Sequence, residues 1–436
     1  MTLYERAQTA ISQESKTVVK PDSLQMLRQQ MEKLVSVDEL AILAASNPNR
    51  AKNEVVSACR RAFEDTSWIY TGIAERNALV DQLMDQLFGY GVIHALLEDD
   101  SITEVMVNGP GSVFFERSGT LHRAECKFAD EQELRALIDR ILGPLGRRID
   151  EASPMVNARL PQGHRVNVVV PPIAPDGPLV TIRKFSRHVI TLDEMTAAGS
   201  IEPSVKTALE WAVKARKSIA VTGGTGSGKT TMLNALSCAI PHEERIITIE
   251  DSAELRFHEH PHVVRLEARP RNAEGMGEVT IRDLVTNALR MRPDRIVVGE
   301  CRGAEALDML QAMNTGHAGS LTTLHSNSPA ESISRLETMV RYDGDLPVDV
   351  IEANIASAIS LVVQTIRLPD GKRIVCEIAE LAFLPDGRRC VAQPLYERGL
   401  TDECGFWRKA PRWFDELPAL GVADDAEVEK WVSEYL

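Results

Sequence analysis

The sequence predicts an α/β protein whose second half folds around a parallel β-sheet covered by helices on both faces. Three observations support this prediction. After Thr191, short apolar runs alternate with segments that carry apolar residues at helical spacing, and strands joined by helical crossovers pair in parallel. A mixed α+β region precedes that half, and helix-forming segments precede that region. The chain has 436 residues, which is enough for two or three domains.

The first predicted domain, residues 1–73, is a helical bundle with a linker. Apolar residues recur at helical spacing in "LQMLRQQMEKLV", "VDELAILAA" and "KNEVVSACRRAFED", with polar breaks between them. The second predicted domain, residues 74–195, is mixed α+β. We expect a helix at 74–89 and then a hairpin that turns at 108–111, where "NGPG" interrupts the alternation. A helix in "EQELRALIDRILG" and strands in "VNVVV" and "LVTIRKF" complete this domain.

The third predicted domain, residues 196–396, contains the parallel sheet. Its expected strands lie at 218–222, 245–250, 295–299 and 319–325, and its expected helices lie at 203–217, 229–240, 281–291, 304–314 and 329–339. Ligands of such sheets bind at the carboxyl ends of the strands. The remaining residues, 397–436, are predicted to form a C-terminal tail with one amphipathic segment near 424–435.

Composition limits the classes of function. The formal net charge of -14 at pH 7 disfavours binding to nucleic acid or to an anionic membrane surface, because both attract clustered Lys and Arg. Seven cysteines lie without a C-x-x-C pair or a His at ligand spacing, which is typical of reduced thiols in a cytosol. The first residues lack the apolar segment of a signal peptide, and no apolar run approaches the roughly 18 residues of a membrane-spanning helix. We therefore expect a cytoplasmic protein that associates with a membrane only through partner proteins.

The segment "VTGGTGSGKTTM" follows the apolar run "SIAV" and fits the pattern G-x-x-x-x-G-K-[ST]. Glycines at these positions allow the backbone to turn its N–H groups into a concave nest for phosphate oxygens at the start of a helix. Lys229 can then reach the β- and γ-phosphates, and the Thr230 hydroxyl can bind Mg²⁺. The alternative is a turn without a ligand. However, on the order of one chain in a hundred of this length would match all four fixed positions by chance. The predicted nucleotide site consists of Gly223, Gly224, Thr225, Gly226, Ser227, Gly228, Lys229, Thr230 and Thr231.

Carboxylates follow two other predicted strands. "RIITIEDSAEL" carries Glu250 and Asp251 with Glu254 behind them, and "DRIVVGECRG" carries Glu300. In a parallel sheet these acids share an edge with the glycine-rich turn, where a triphosphate needs one carboxylate for magnesium and another to orient water. Thr230, Glu250 and Asp251 are the expected magnesium ligands, and burial at a strand end favours a functional role for Glu300. Glu254 fits a catalytic role and a solvated acid at a helix start equally well.

Two histidines lie in "MNTGHAGSLTTLHSNSP". His325 ends the predicted strand "SLTTLH", where an imidazole N–H can contact a γ-phosphate and respond to its loss. We therefore predict a sensor role for His325, against the structural role that a lone histidine commonly has. His317 lies in a glycine-rich turn, and both roles stay open for it.

Several motifs occur in one order along the chain: "QGHRVNVVVPP", "LVTIRKFS", "GGTGSGKTT", "ITIEDSAEL", "DRIVVGECRG" and "GHAGSLTTLHSNSP". In these motifs the chain resembles the ATPases of type II and type IV secretion systems, most closely the tight-adherence (Flp pilus) assembly ATPases of the CpaF-like branch. The resemblance covers about residues 74–392. It implies a RecA-like ATPase domain behind a PAS-like N-terminal domain, a hexameric ring, and ATP bound between the two domains.

The resemblance also implies roles for individual residues. Residues 223–231 match the Walker A loop, 250–254 the Asp box, 294–300 the Walker B segment and 317–327 the His box. Arg165 and Arg183 match arginines that the N-terminal domain offers to the phosphates, where an arginine can contribute about 10³ to 10⁵ in rate. Arg269 matches an arginine that follows the Asp box. The expected catalytic residues are therefore Glu300, Glu250, Arg165, Arg183, Arg269 and His325.

The function expected from the sequence is a homohexameric ATPase that uses ATP and Mg²⁺ and drives inner-membrane platform proteins that extrude pilin. Nucleic acid is not an expected partner. Alternatives are a conjugative type IV secretion ATPase, a nucleic-acid translocase with a RecA core, a small-molecule kinase or GTPase, and a nucleotide-gated scaffold without turnover. No N-K-x-D guanine-binding motif is present, and the acidic balance disfavours the translocase. The sequence leaves open whether the machine extends pili, retracts them or secretes.

Overall fold

The structure is a computed structural model that describes residues 21–36, 39–40, 43, 47–65, 68, 71–117, 119–185, 189–257, 260–269, 271, 276–342, 344–384 and 389–436. The chain divides into two compact units, Met1–Ser186 and Arg187–Leu436. Among the helices of the described residues, none is long and apolar enough to cross a membrane.

Three helices pack as a bundle in the first unit: α1 (Pro21–Leu34), α2 (Pro48–Ala62) and α3 (Ile73–Phe88). The Asn47 side chain accepts a hydrogen bond from the Arg50 N–H at 3.1 Å, which satisfies one of the N–H groups that the start of α2 leaves open. The core of the bundle contains Leu27, Met31, Val55, Ala58, Cys59, Leu79 and Leu83. Because α3 supplies part of this core, the predicted boundary between residues 73 and 74 separates α3 from the helices that it packs against.

The rest of the first unit is an antiparallel sheet with the helices α4 (His94–Glu98) and α5 (Glu131–Leu142). Its strands are β1 (Ile102–Asn108), β2 (Val113–Arg117), β3 (Thr120–Arg123), β4 (Met155–Arg159), β5 (Arg165–Val169) and β6 (Leu179–Arg183), in the order β3-β2-β1-β6-β5-β4. The predicted hairpin is present, because β1 pairs with β2 and Gly109 turns between them with φ +72°. Alternate residues of the strands, such as Val166 and Val168, share a core with Leu134 and Leu137 of α5.

The second unit alternates strands with helices, as predicted. Its helices are α6 (Leu192–Ala197), α7 (Pro203–Lys214), α8 (Lys229–Cys238), α9 (Ile281–Ala288), α10 (Glu305–Asn314), α11 (Pro329–Val340), α12 (Val348–Ala358) and α13 (Asp425–Tyr435). Its strands are β7 (Ile219–Gly223), β8 (Ile246–Glu250), β9 (Val263–Glu267), β10 (Arg295–Val298), β11 (Leu321–Leu324), β12 (Leu361–Arg367), β13 (Arg373–Leu384), β14 (Arg389–Glu397) and β15 (Phe406–Trp407).

These strands form one sheet in the order β15-β14-β13-β12-β7-β11-β10-β8-β9. The six strands from β12 to β9 pair in parallel, and β7, β8, β10 and β11 are buried along their whole length. Ile219 and Val221 face one core and Ala220 faces the other, so apolar helices cover both faces, as the sequence predicted. The predicted parallel sheet is therefore present, and β13, β14 and β15, which the sequence did not indicate, extend it in antiparallel fashion. Their short connections permit only antiparallel pairing.

The residues beyond 397 complete the core of the second unit. Trp407, Trp413, Phe414 and Trp431 belong to the same apolar cluster as Leu209 of α7. The indole N–H groups of Trp407 and Trp431 donate to the hydroxyl and the carbonyl of Ser204, at 3.0 and 3.2 Å. The predicted amphipathic segment forms α13, and it packs as part of this domain instead of extending from it as a tail. Leu192 and Met195 of α6 also join this cluster, so the second unit begins before the predicted boundary at 195–196.

We expect Trp431→Ala to lower the free energy of unfolding of the second unit by about 3–5 kcal/mol, the usual cost of truncating a buried aromatic side chain. Trp431 is 4% exposed, and its ring centroid lies 4.7 Å from that of Trp407. Urea denaturation followed by circular dichroism measures the change. Leu420→Ala is the control, because Leu420 is 53% exposed and its loss should change stability by no more than about 0.5 kcal/mol. Equal stability of the two variants would contradict the assignment of Trp431 to the core.

Candidate functional site

A glycine-rich turn joins the carboxyl end of β7 to the start of α8. Gly223 has φ +151° and Gly228 has φ +97°, which side chains other than glycine rarely adopt. A Cβ atom on Gly223 would lie 2.4 Å from the carbonyl oxygen of Thr365 and from the hydroxyl of Ser227. The turn therefore requires glycine at position 223. It lies directly before α8, whose N-terminal end carries a partial positive charge and is a favourable place for an anion.

Lys229 folds back over this turn. It is 8% exposed, and its Nζ donates to the carbonyl oxygens of Gly223 and Gly224 at 3.0 and 2.8 Å. The same Nζ lies 3.4 Å from Nδ1 of His325, which follows β11. Burial lowers the pKa of the Lys229 amine below its usual range, although the nearby charge of Glu300 opposes that shift. An anion at this turn would stabilise the charged form of Lys229.

Glu300 lies on the other side of the same imidazole. Its Oε1 is 3.0 Å from Nε2 of His325, and its Oε2 accepts a hydrogen bond from Arg302 at 2.6 Å. Burial alone would raise the pKa of the Glu300 carboxyl, but Arg302, His325 and Lys229 together lower this pKa below its usual value. Glu300 is therefore a carboxylate at neutral pH. Burial and the charge of Lys229 lower the pKa of His325, so its ring is neutral at that pH.

Glu250 ends β8 in a different environment. Its Oε1 accepts hydrogen bonds from the N–H groups of Glu254 and Leu255 at 2.8 and 2.9 Å, whereas its Oε2 is buried and has no hydrogen-bond partner among the described residues. Burial raises the pKa of Glu250 to about 7 despite these two bonds. A buried carboxylate oxygen that lacks a partner is suited to a cation or to a proton donor.

The ends of β8 and β10 bring the predicted acids close together. Ile249 pairs with Val298, so Gly299 lies opposite Glu250, and a Cβ on Gly299 would be 2.8 Å from Cγ of Glu250. Beyond them, Arg302 lies 3.7 Å from the carboxylate of Asp251 while it binds Glu300. The structure thus places Lys229, Glu250, Asp251, Glu300 and His325 at one edge of the sheet, as the sequence predicted.

Other predicted residues lie elsewhere. His317 precedes β11 at the opposite edge of the sheet, where its Nδ1 is 3.2 Å from the carbonyl oxygen of Ala312, and this position favours the structural role. Arg269 follows β9, and its Nε donates to the carbonyl oxygen of Gly277 at 2.6 Å. Because β9 is four strands from β7, at about 4.8 Å a strand, Arg269 lies about 19 Å to the side of the glycine-rich turn.

Arg165 and Arg183 belong to the first unit and lie directly opposite each other on β5 and β6. Arg159 of β4 lies opposite Arg165, so three guanidinium side chains form a row across one face of that sheet. Like charges in such a row repel each other, and the carboxylate of Glu104 on β1, which lies opposite Arg183, offsets part of the repulsion. Sequence reasoning missed Arg159, although a hairpin drawn between "MVNAR" and "RVNVV" would have placed it opposite Arg165.

Sequence reasoning also missed the residues of β12 that support the glycine-rich turn. The hydroxyl of Thr365 is 2.9 Å from that of Ser227 and donates to the carbonyl oxygen of Thr222 at 3.0 Å. Gln364 binds the hydroxyl of Thr222 and donates to the carbonyl oxygen of Ser326 at 3.3 Å, which connects the ends of β7 and β11. No short sequence pattern identifies these residues, because they act through long-range pairing of β12 with β7.

This edge of the sheet suits a nucleoside triphosphate, and the fold and the site together define an ATPase of the P-loop class. The chain belongs to the family described as type II/IV secretion system protein, whose profile matches residues 86–398. A protein of Mycobacterium tuberculosis named for conjugal transfer is 40% identical over 327 residues, which cover 74% of this chain and 92% of that protein. The type IV secretion system protein PtlH of Bordetella pertussis is 36% identical over 313 residues, which cover 66% of this chain and 91% of that protein.

Among solved structures, the ATPase DotB of Yersinia pseudotuberculosis is similar in fold, with a TM-score of 0.50 and 17% sequence identity. The similarity covers 79% of this chain and 85% of DotB. These comparisons confirm the predicted α/β fold, the secretion ATPase family and the ATPase activity. The tight-adherence branch and the roles of individual residues stay predictions.

We expect Glu250→Gln to remove a pH dependence of stability. The folded carboxyl has a pKa of about 7 against an ordinary value of 4.5, so the wild-type protein loses stability as the pH rises from about 4.5 to 7. Glutamine does not titrate, so the stability of the variant relative to wild type should increase by up to about 3 kcal/mol between pH 5 and pH 8, at 1.36 kcal/mol per pKa unit. Urea denaturation at a series of pH values, without Mg²⁺ or nucleotide, measures the free energy of unfolding of both proteins. Glu243→Gln, a change at an exposed glutamate, should keep the wild-type profile, and the same profile for Glu250→Gln would contradict the assignment.

Proposed function

We propose that the protein is a homohexameric ATPase motor at the cytoplasmic face of a bacterial inner membrane, and that it powers assembly of a tight-adherence (Flp) pilus. The observation that carries the ATPase part of this proposal is the contact of His325 with Lys229 and with Glu300, at 3.4 Å from Nζ to Nδ1 and 3.0 Å from Nε2 to Oε1. It connects the phosphate turn to a carboxylate through a single imidazole. The assignment to a tight-adherence pilus is supported by the resemblance in sequence motifs.

The residues around the turn suit ATP. The N–H groups of residues 223–231 would hold the phosphates, and the amine of Lys229 would neutralise the terminal ones. Mg²⁺, when bound, would neutralise negative charge on the phosphate oxygens. Thr230, Glu250 and Asp251 fit its preference for oxygen ligands, and the open Oε2 of Glu250 is the observation that supports this set.

Glu300 is our choice for orienting the attacking water. Arg302 binds its Oε2, and the charges of Arg302, His325 and Lys229 keep it ionised, so the carboxylate can accept a hydrogen bond from the attacking water and orient it. His325 contacts both Glu300 and Lys229: the neutral ring can donate its Nε2–H to Glu300 or to a terminal phosphate, and its Nδ1 can accept a hydrogen bond from the amine of Lys229. Glu250 is the second candidate for activating water, because a pKa of about 7 also suits a general base at neutral pH.

Arginines of the first unit would complete the site. Arg165 and Arg183, with Arg159 beside them, offer a row of guanidinium groups that suits a polyphosphate. Their approach to the phosphates would couple hydrolysis to domain movement, and such arginines are worth about 10³ to 10⁵ in rate. Arg269 follows the edge strand β9, so we propose that it acts on the nucleotide of a neighbouring subunit. The motor would pass its work to inner-membrane platform proteins.

A conjugative type IV secretion ATPase is the second candidate. The similarity to proteins named for conjugal transfer and for type IV secretion favours it. A nucleic-acid translocase is disfavoured by the net charge of -14.

We expect Lys229→Ala to weaken binding of Mg·ATP by about 10- to 100-fold, because a charge-assisted contact to phosphate contributes about 1.5–3 kcal/mol. Glu300→Gln should bind Mg·ATP within about threefold of wild type and lower kcat by about 10² to 10⁴, the usual contribution of a general base. Isothermal titration and phosphate release measure the two effects, and Glu243→Gln serves as the control at an exposed site. Unchanged turnover in Glu300→Gln would show that another carboxylate activates the attacking water. A wild-type protein that neither binds nor cleaves Mg·ATP would refute the ATPase motor.

Deletion of the gene in the host bacterium should abolish surface pili, and wild-type protein but not Glu300→Gln should restore them. Electron microscopy of the cell surface and labelling of pili in live cells measure assembly and retraction. Pili that persist while DNA transfer between cells is lost would favour the conjugative candidate and contradict the pilus assignment.

A further inference from the structure

The turn between β12 and β13 lies beside the glycine-rich turn. β12 is the parallel neighbour of β7, and Thr365 pairs with Gly223 at the last position of β7. The two residues that follow Thr365 therefore extend past the end of β7 toward the phosphate turn. The chain then reverses tightly, since Leu368 N–H donates to the carbonyl oxygen of Lys372 at 2.8 Å, and β13 begins at Arg373.

Arg373 contacts the glycine-rich turn directly. Its Nε donates to the carbonyl oxygen of Gly226 at 3.0 Å. Its Cδ lies 3.2 Å from the position that a Cβ on Gly228 would take, so the stem of the arginine packs against the turn as well. Arg367, which pairs with Arg373 across the two strands, has a guanidinium nitrogen 3.6 Å from the Cβ position of Gly226.

The contact with Gly226 fixes a peptide plane. In a trans peptide the carbonyl oxygen of Gly226 and the N–H of Ser227 point in opposite directions. A donor that holds this oxygen therefore also sets the direction of the Ser227 N–H, which donates to the carbonyl oxygen of Gly224 at 3.4 Å, a long hydrogen bond that a phosphate oxygen can replace. Because glycine has an open choice of backbone angles, a turn with glycines at 223, 224, 226 and 228 needs such an external restraint.

We infer that Arg373 is a positioning residue of the ATP site, which acts by holding the Gly226 peptide so that the turn presents its N–H groups to the phosphates. This inference rests on the proposed ATPase function and deepens it. The two opposed guanidinium groups also place positive charge beside the turn, and a polyphosphate offsets their mutual repulsion. The role falls to Arg373 because its Nε makes the hydrogen bond to the turn.

The test compares three substitutions in the full chain: Arg373→Ala, Arg373→Gln and Arg373→Lys. The alanine variant should bind a non-hydrolysable ATP analogue with Mg²⁺ about tenfold more weakly and show a KM for ATP raised by about the same factor, because it lacks the donor. Its kcat at saturating ATP should fall less than threefold, as expected when the turn is remade by bound phosphate. The lysine and glutamine variants retain a donor and should recover most of the affinity. Arg408→Ala, which removes an exposed arginine paired with Glu397, should behave as wild type.

Thermal unfolding without nucleotide separates positioning from folding. Arg373 is exposed, so the melting temperature of each variant should stay within about 2 °C of wild type. Unchanged affinity in Arg373→Ala would overturn the inference. Rescue by lysine but not by glutamine would also overturn it, because charge and not the hydrogen bond would then be responsible. A loss of affinity matched by a loss of stability in all three variants would assign Arg373 to folding and overturn it as well. Failure of wild-type protein to bind the analogue would instead refute the ATPase function.

Discussion

Parallel pairing of β7 with β11 and β12, and of β10 with β8, is the constraint on which the site depends. Since neighbouring parallel strands end at the same edge, side chains that lie far apart in sequence meet within hydrogen-bonding distance there. The register of these strands is fixed by their burial, because their alternate residues pack into two different apolar cores, one on each face of the sheet. A slip of one residue in β10 would exchange the faces of its apolar residues and remove Glu300 from His325.

The environments of Glu250 and Glu300 push their pKa values in opposite directions. Two acids at adjacent strand ends thereby become different chemical groups, one ionised at neutral pH and one close to half protonated. Burial governs the pKa of Glu250, whereas at Glu300 the combined effect of Arg302, His325 and Lys229 outweighs burial. Such a division commonly marks separate acid and base or metal-binding roles. A cation beside Glu250 would lower its pKa, so metal binding and proton release would be linked at this position.

Much of the fold and the centre of the site could be predicted from the sequence, because both depend on local patterns. Apolar runs mark the buried strands, and a single residue after each run identifies Glu250, Glu300 and His325. What could not be predicted depends on contacts between distant segments. The pairing of β12 with β7 has no signature within either strand, so the roles of Thr365 and Arg373 were invisible. Likewise, tryptophans after 397 carry no periodic pattern that reveals which core they fill.

The position of those tryptophans has a consequence for synthesis of the chain. A nascent chain on the ribosome that has emerged as far as His325, the residue after β11, already contains the glycine-rich turn and both acids. It still lacks Trp407, Trp413 and Trp431, which belong to the same apolar core as Ile219 and Val221 of β7. Contacts of such large sequence separation form late, because their loop-closure entropy must be overcome first. The nucleotide-binding domain therefore completes its folding only after α13 has been made, and a partial product exposes an apolar face that chaperones and proteases recognise.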